Sequence, residues 1–294
     1  VKQLAGYDLH THSNASDGSL EPEALVRAAY AAGVRCLALT DHDTLAGLSP
    51  ARRAASELDG MRFVDGVELT CLWEGRVIHL LGLGIDPDFA GFGEYMEQLN
   101  SLRRERAEAI ARKLVKKGFP DLLADAQLIA GQGQIGRPHF AQAMVARRLV
   151  ASAQQAFDSW LGQGKIGDVR ASWPALEDAV SLVKQAGGYA VIAHPTKYNF
   201  TFTRLRALVD DLLAAGGDGI EVSYPGVTPN HLRDLLLLAQ RKTLLVSAGS
   251  DFHSPEQRWT ALGCFPPFHA STHLLRPLLP DCAEQWWYDA VAIA

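Results

Sequence analysis

The chain has 294 residues, 48% hydrophobic and 21% charged, the balance of a globular protein with length for one large α/β domain plus an insertion. A formal net charge of -5 leaves no broad cationic footprint for duplex DNA, while a local basic pocket for a small anion stays open. The four cysteines lie far apart with no Cys-x-x-Cys pair, no signal peptide is expected before the first apolar run, and the Leu235 to Leu238 run is far too short to cross a bilayer. The expectation is a cytoplasmic protein with no disulfide framework, no membrane anchor and no evident obligate protein partner.

Short apolar runs alternate with amphipathic stretches. Strands are expected at 6–10, 35–40, 62–69 and 77–84, with a helix over 22–32 between the first two. Residues 92–167 break this rhythm. They read as a long helix over 94–117, ended by Gly118 and Pro120, and shorter helices over 124–129 and 139–148, with a glycine-rich turn at 131–136. The alternation then resumes, with helices at 174–186, 204–215 and 229–240 and strands at 189–193, 219–223 and 243–248. Ser172 and Thr228-Pro229 are expected to start helices, and Gly187-Gly188 and Gly216-Gly217 to end them. Repeated strand–helix units imply a parallel sheet, closed or nearly closed into a barrel formed by 1–91 and 168–294. Residues 92–167 form a helical insertion, either a cap over the barrel mouth or a loop elaboration packed on one side.

The chemistry concentrates at strand ends. Asp8-Leu9-His10-Thr11-His12, Thr40-Asp41-His42-Asp43, Ala193-His194-Pro195 and Gly249-Ser250-Asp251-Phe252-His253 each set imidazoles at or just beyond an apolar stretch. His10 and His12 are two apart on an extended segment and present both rings to one side. Asp17 follows in a turn, Glu68 ends its apolar run, and His79 lies in the next. In a parallel barrel the C-terminal strand ends converge on one face, so these groups meet. Imidazole with carboxylate and no thiolate suits manganese, iron or zinc in an open site, and nine candidate ligands suit three ions sharing carboxylate bridges.

These segments, together with Ser16-Asp17-Gly18 and Gly66-Val67-Glu68, resemble the PHP (polymerase and histidinol phosphatase) family nearly end to end, the insertion excepted. The resemblance implies a distorted (β/α)7 barrel whose trinuclear metal site hydrolyses phosphoesters through a hydroxide bridging two metals. One metal would take His10, His12, Glu68 and Asp251; a second would share Glu68 and add His79 and His194; a third would take Asp17, His42 and His253. Glu68 and Asp251 thereby count as catalytic, and Asp41 and Asp43 are expected to orient His42. The general acid is a water on a metal or a side chain such as His139.

Arg137, whose planar fork suits phosphate, leads the substrate contacts, with His139, Lys165, Lys197 and Arg204 behind it. His231, His269 and His273 lie outside every motif. The insertion with Gly136-Arg137-Pro138-His139-Phe140, and His194-Pro195 before Lys197-Tyr198, are similar to a bacterial branch of nucleoside 3′,5′-bisphosphate phosphatases, some of which trim short RNA from its 5′ end. That implies release of the 3′-phosphate, leaving a 5′-monophosphate, with Mn2+ the first choice of cation and Fe2+ or Zn2+ behind it. A 5′-3′ exonuclease of short RNA, with Trp160, Trp173, Tyr198 and Tyr224 as stacking candidates, and a histidinol-phosphate phosphatase are the alternatives. A metal-stabilised, non-catalytic module is the alternative from another class.

Overall fold

In the computed structural model, residues 6–131, 133–268 and 278 are described. Seven strands form one nearly closed sheet in sequence order: β1 (Tyr7–Asp8), β2 (Cys36–Leu39), β3 (Arg62–Trp73), β4 (Arg76–Leu83), β5 (Tyr189–Ile192), β6 (Gly219–Ser223) and β7 (Leu245–Ala248). Beyond the formal ends of β1 and β7 the ring draws together. Leu9 N–H donates to Ala248 O at 3.2 Å, Asp251 N–H to His10 O at 2.8 Å and His12 N–H to Phe252 O at 2.9 Å. All seven strands fall where the apolar runs lie.

The sheet is not wholly parallel. β4 runs antiparallel to both β3 and β5, while the other neighbours are parallel. Its cause is local: Trp73 pairs with Arg76 across Glu74-Gly75, whose φ angles of 45° and 68° match the two-residue hairpin turn that follows the strands' own twist. Reversal brings the first half of β4, with His79, to the face where the other strands end.

The helices are α1 (Pro22–Ala31), α2 (Leu48–Ser56), α3 (Gly91–Val115), α4 (Leu123–Ala130), α5 (Arg137–Ala146), α6 (Ala153–Ala156), α7 (Leu176–Gln185), α8 (Phe202–Ala214) and α9 (Pro229–Lys242). A π turn (Phe157–Leu161) follows α6, and a 3-10 turn (Pro195–Tyr198) follows β5. Helix α2 was not expected. Pro50 sits in its first turn, where a missing N–H costs nothing. Thr228 caps α9 by accepting from His231 N–H, as its spacing predicts. Ser172 does not cap α7. That helix starts later, and the Asp178 carboxylate accepts from Ala175 N–H instead.

Two apolar clusters form. One fills the barrel and the clefts beneath its helices, with Leu37, Leu69, Leu80, Ile192 and Val246 among its buried members. The other lies wholly within the helical segment, where Ile110, Leu114, Leu122, Phe140, Met144 and Leu161 pack together. The clusters share α3: Leu99 belongs to the barrel and Ala107 to the second group. Among the described residues, no helix is long and apolar enough to cross a membrane.

Candidate metal centre

Glu68, fully buried on β3, is the hub. Its Oε2 lies 3.3 Å from His10 Nε2, 3.3 Å from His12 Nε2 and 3.1 Å from His42 Nδ1. Its Oε1 lies 2.9 Å from His79 Nδ1 and 3.0 Å from His194 Nε2. Asp251 Oδ1 approaches His10 and His12 at 3.5 and 3.3 Å. On the far side Asp17 meets His253 at 3.3 Å and His42 and His12 at 3.9 Å each. The structure therefore gathers all nine candidate ligands in one place. His12 additionally turns Nδ1 toward the Asp17 group while its Nε2 faces Glu68.

Burial alone would neutralise these carboxylates, but the imidazoles outweigh it. His42, His79 and His10 hold Glu68 well below the usual range, and His253 and His42 do the same for Asp17. Burial lowers His42 to about 3, against the pull of Glu68 and Asp17. Burial also opposes protonation of His253, yet Asp17 and Asp251 push it up to about 9. This anion-rich pocket calls for positive charge.

Divalent cations fit that demand. His10 Nε2, both ring nitrogens of His12, His42 Nδ1, His194 Nδ1 and Glu68 Oε2 are buried without a hydrogen-bond partner. Such orphaned polar atoms are costly, and a cation would serve the acceptors among them. Four overlapping groups stand within ligating reach: His12, Asp17, His42 and His253; His10, Glu68 and His194; His10, His12 and Asp251; and His42, Glu68 and His79.

Several surrounding residues do something other than expected. Asp41 and Asp43 do not touch the His42 ring. Asp41 accepts from Ser13 N–H at 2.7 Å and from the Ser13 and Ser16 hydroxyls, tying down the turn that carries Asp17. Asp43 accepts from Thr70 N–H at 2.7 Å and from Arg103 Nε at 2.8 Å. Sequence reading missed two groups. Fully buried Glu221 on β6 accepts from the His10 ring at 3.1 Å and from His194 N–H at 2.7 Å. Asp8 accepts from Ser250 and Gly263 N–H at 2.8 Å each, closing the barrel seam. An acid inside an apolar strand was the available signal for Glu221; Asp8 stood in plain view before His10 and was passed over as part of the motif.

Above the ligands opens a cavity of about 510 Å3. Asp17, His42 and His79 line it, and its wall also carries Arg76, Arg103, Arg106, Arg137, Arg170 and Lys197. Arg137 stands on this wall, donating to Leu161 O at 3.2 Å and to Asp168 at 3.4 Å. Lys197 also lines the cavity, with Nζ against Asp251 Oδ2. Trp173, Tyr198, Phe157 and Phe200 supply its aromatic faces. Trp160 packs on Phe119 within the second cluster, and Tyr224 hydrogen-bonds Thr196, so neither is in the wall.

Lys165 is exposed and off the cavity wall, and Arg204 pairs with Glu74 beside Trp73. His139 is buried beside the wall rather than in it. Its Nδ1 accepts from Gly136 N–H at 3.0 Å, its ring bonds the Ser16 backbone, and burial lowers its pKa. The Gly136 contact ties the ring to the start of α5. His231 is exposed; His269, His273 and the aromatic tail from Trp286 lie outside the described residues.

A seven-stranded barrel with this imidazole–carboxylate centre and a cationic mouth defines a metal-dependent phosphoesterase. Residues 8–162 match the PHP domain, and the chain belongs to that family. It is 43% identical over 257 residues to a 5′-3′ exoribonuclease of Haemophilus influenzae, covering 87% of this chain and 93% of the relative. It is 38% identical over 253 residues to a 3′,5′-nucleoside bisphosphate phosphatase of Chromobacterium violaceum, covering 86% and 88%. An amidohydrolase of Chromobacterium violaceum, solved with bound sulfate and no metal, superposes with a TM-score of 0.84 at 35% identity over 98% of this chain and 96% of that one.

Proposed function

We propose that this chain removes the 3′-phosphate of nucleoside 3′,5′-bisphosphates, leaving the 5′-monophosphate, with three divalent cations bound and manganese the first candidate. The observation that carries the reading is the pairing, in one cavity, of the ligand cluster around Glu68 with the guanidinium groups of Arg76, Arg106, Arg137 and Arg170. A substrate with one phosphate needs only the first; a second phosphate uses both. The nucleoside bisphosphate phosphatase among its relatives supports the same substrate.

His10, His12, Glu68 and Asp251 would hold one cation; Glu68, His79 and His194 a second; and Asp17, His42 and His253 a third. Bound cations supply an activated water and neutralise charge on the phosphoryl oxygens. The chain's own part is positioning. Arg137 and its neighbours orient the 5′-phosphate, and Trp173 and Tyr198 offer faces for the base. The segment 92–167 acts as a cap that carries this recognition. The setting is cytoplasmic, and the substrate is the only partner required.

A second reading, stepwise 5′-3′ removal of nucleotides from short RNA, is favoured by the aromatic faces along the cavity and by the exoribonuclease relative. Phosphate or nucleotide release from adenosine 3′,5′-bisphosphate, histidinol phosphate and a 5′-phosphorylated RNA, measured in parallel, separates the readings. Preference for the bisphosphate, with Arg137→Ala raising its KM about tenfold to a hundredfold and keeping its metals, supports the first. Faster turnover of RNA makes the nuclease reading the correct one.

A further inference from the structure

We propose that the helical segment, through Arg103, positions the ligands of the Asp17–His42–His253 cluster, so that occupancy of that cation site depends on a residue that is not itself a ligand. The inference rests on the metal-centre reading above. Glu68 and His79 stand on strands, and His10 and His194 lie two residues past the ends of β1 and β5, so the sheet itself holds them. Asp17 and His42 are held more lightly: Asp17 lies in a turn, and His42, three residues past the end of β2, meets β3 in an isolated bridge to Glu68.

Helix α3 supplies what the sheet does not. Arg103 Nε donates to Asp43 Oδ2 at 2.8 Å, and its Nη2 donates to the same oxygen and to Thr70 Oγ1 at 3.2 Å. The other Asp43 oxygen takes Thr70 N–H at 2.7 Å, and Asp43 N–H donates to Glu68 O at 3.0 Å. Asp43 thus clasps β3 immediately beside His42, in a left-handed conformation with φ of 50° that needs holding. Its side chain is 0% exposed and that of Arg103 10%, so deleting the guanidinium strands a buried carboxylate.

The same segment reaches the Asp17 turn. Gln134 N–H donates to Ala15 O at 3.2 Å, and a Cβ on Gly133 would stand 2.5 Å from Asn14 O. Both loop-borne ligands of one cluster are therefore braced from α3 and the turn before α5, in addition to the Asp41 contacts and the His42–Glu68 bridge.

Metal content of the full chain tests this without any assay of turnover. Wild type, Arg103→Met, Arg103→Lys and Asp17→Asn would be loaded with manganese, desalted, and analysed for cations per chain and by chelator titration. Arg103→Met is expected to lose, or to hold about tenfold to a hundredfold more weakly, the same single cation that Asp17→Asn loses. Arg103→Lys should recover part of it. If Arg103→Met does not fold, Gly133→Ala tests the second brace in the same way. A wild-type content retained in Arg103→Met, or a uniform loss of every cation, overturns the proposal. A wild type holding two cations instead defeats the trinuclear reading; the proposal then stands only if Asp17→Asn and Arg103→Met weaken the same one.

Discussion

Glu221 links two ligands from separate strands with one carboxylate. Its Oε1 meets His10 Nδ1 and its Oε2 takes His194 N–H, so the His10 ring keeps Nε2 aimed at Glu68. In Glu221→Gln one of these contacts becomes a donor facing a donor. Cation affinity, read by chelator competition, should fall about tenfold to a hundredfold while the far-ultraviolet dichroism stays unchanged; equal affinity would refute the role. His139 gives a pH signature of another kind. Burial lowers its folded pKa beneath the ordinary 6.5, so the unfolded chain takes up the proton first. Its contribution to stability is complete above 6.5 and is lost as pH falls through the folded value. Metal-free wild type should therefore lose melting temperature more steeply below pH 6.5 than His139→Asn; parallel curves would count against it. Residues of this kind show why the ligands were legible and their supports were not. Spacing marks His10 and His12, or Asp251 and His253, because two residues apart means one side of an extended chain. Nothing in spacing ties Glu221 to His10, 211 positions away. Asp43, adjacent to His42, invited a contact with the ring, whereas it acts through Thr70 and Arg103.

Among the elements, the β3–β4 hairpin has the largest consequence for the site, since only an antiparallel β4 delivers His79. Gly75 sits at φ of 68° with nothing within 4 Å of where a Cβ would stand, so any cost of a side chain there is conformational rather than steric. Gly75→Val should destabilise the fold by about 1–2 kcal/mol, measured as a drop in the denaturant midpoint. An unchanged midpoint would mean that the turn does not set the strand's direction. Hydrophobic runs located every strand, because burial on both faces writes a continuous apolar word. Direction is not written that way: it lies in Glu74-Gly75, a two-residue signal overlooked beside the stronger strand–helix rhythm. The same limit explains α2, whose alanine and arginine faces did not stand out beside the strand–helix rhythm. The long helix α3 was evident from its Arg, Glu and Ala content, but its division between two apolar clusters depends on tertiary packing.

Over the whole molecule, charge is distributed against its own sum. The chain carries a formal -5, yet the cavity wall gathers Arg76, Arg103, Arg106, Arg137, Arg170 and Lys197. Two of these are already engaged at short range, Arg103 with Asp43 and Lys197 with Asp251. Arg137 shares Asp168 at the longer distance of 3.4 Å, and among the described residues Arg76, Arg106 and Arg170 form no ion pair. A negative body with a positive mouth draws a dianionic ligand to the mouth and not to the surface at large. Because the wall is open to solvent, that attraction is screened by salt over about 8–10 Å at physiological strength, whereas buried cations at the Glu68 cluster are screened far less. The two phosphates of a bisphosphate should therefore respond differently to ionic strength. Raising salt should increase KM for adenosine 3′,5′-bisphosphate several-fold more than for adenosine 3′-monophosphate, with kcat for both nearly constant. Arg137→Ala should remove part of the difference by leaving the wall one charge poorer. Parallel salt dependence for the two substrates would show that the wall does not read the second phosphate, and the cationic mouth would then have to serve the backbone of a longer chain.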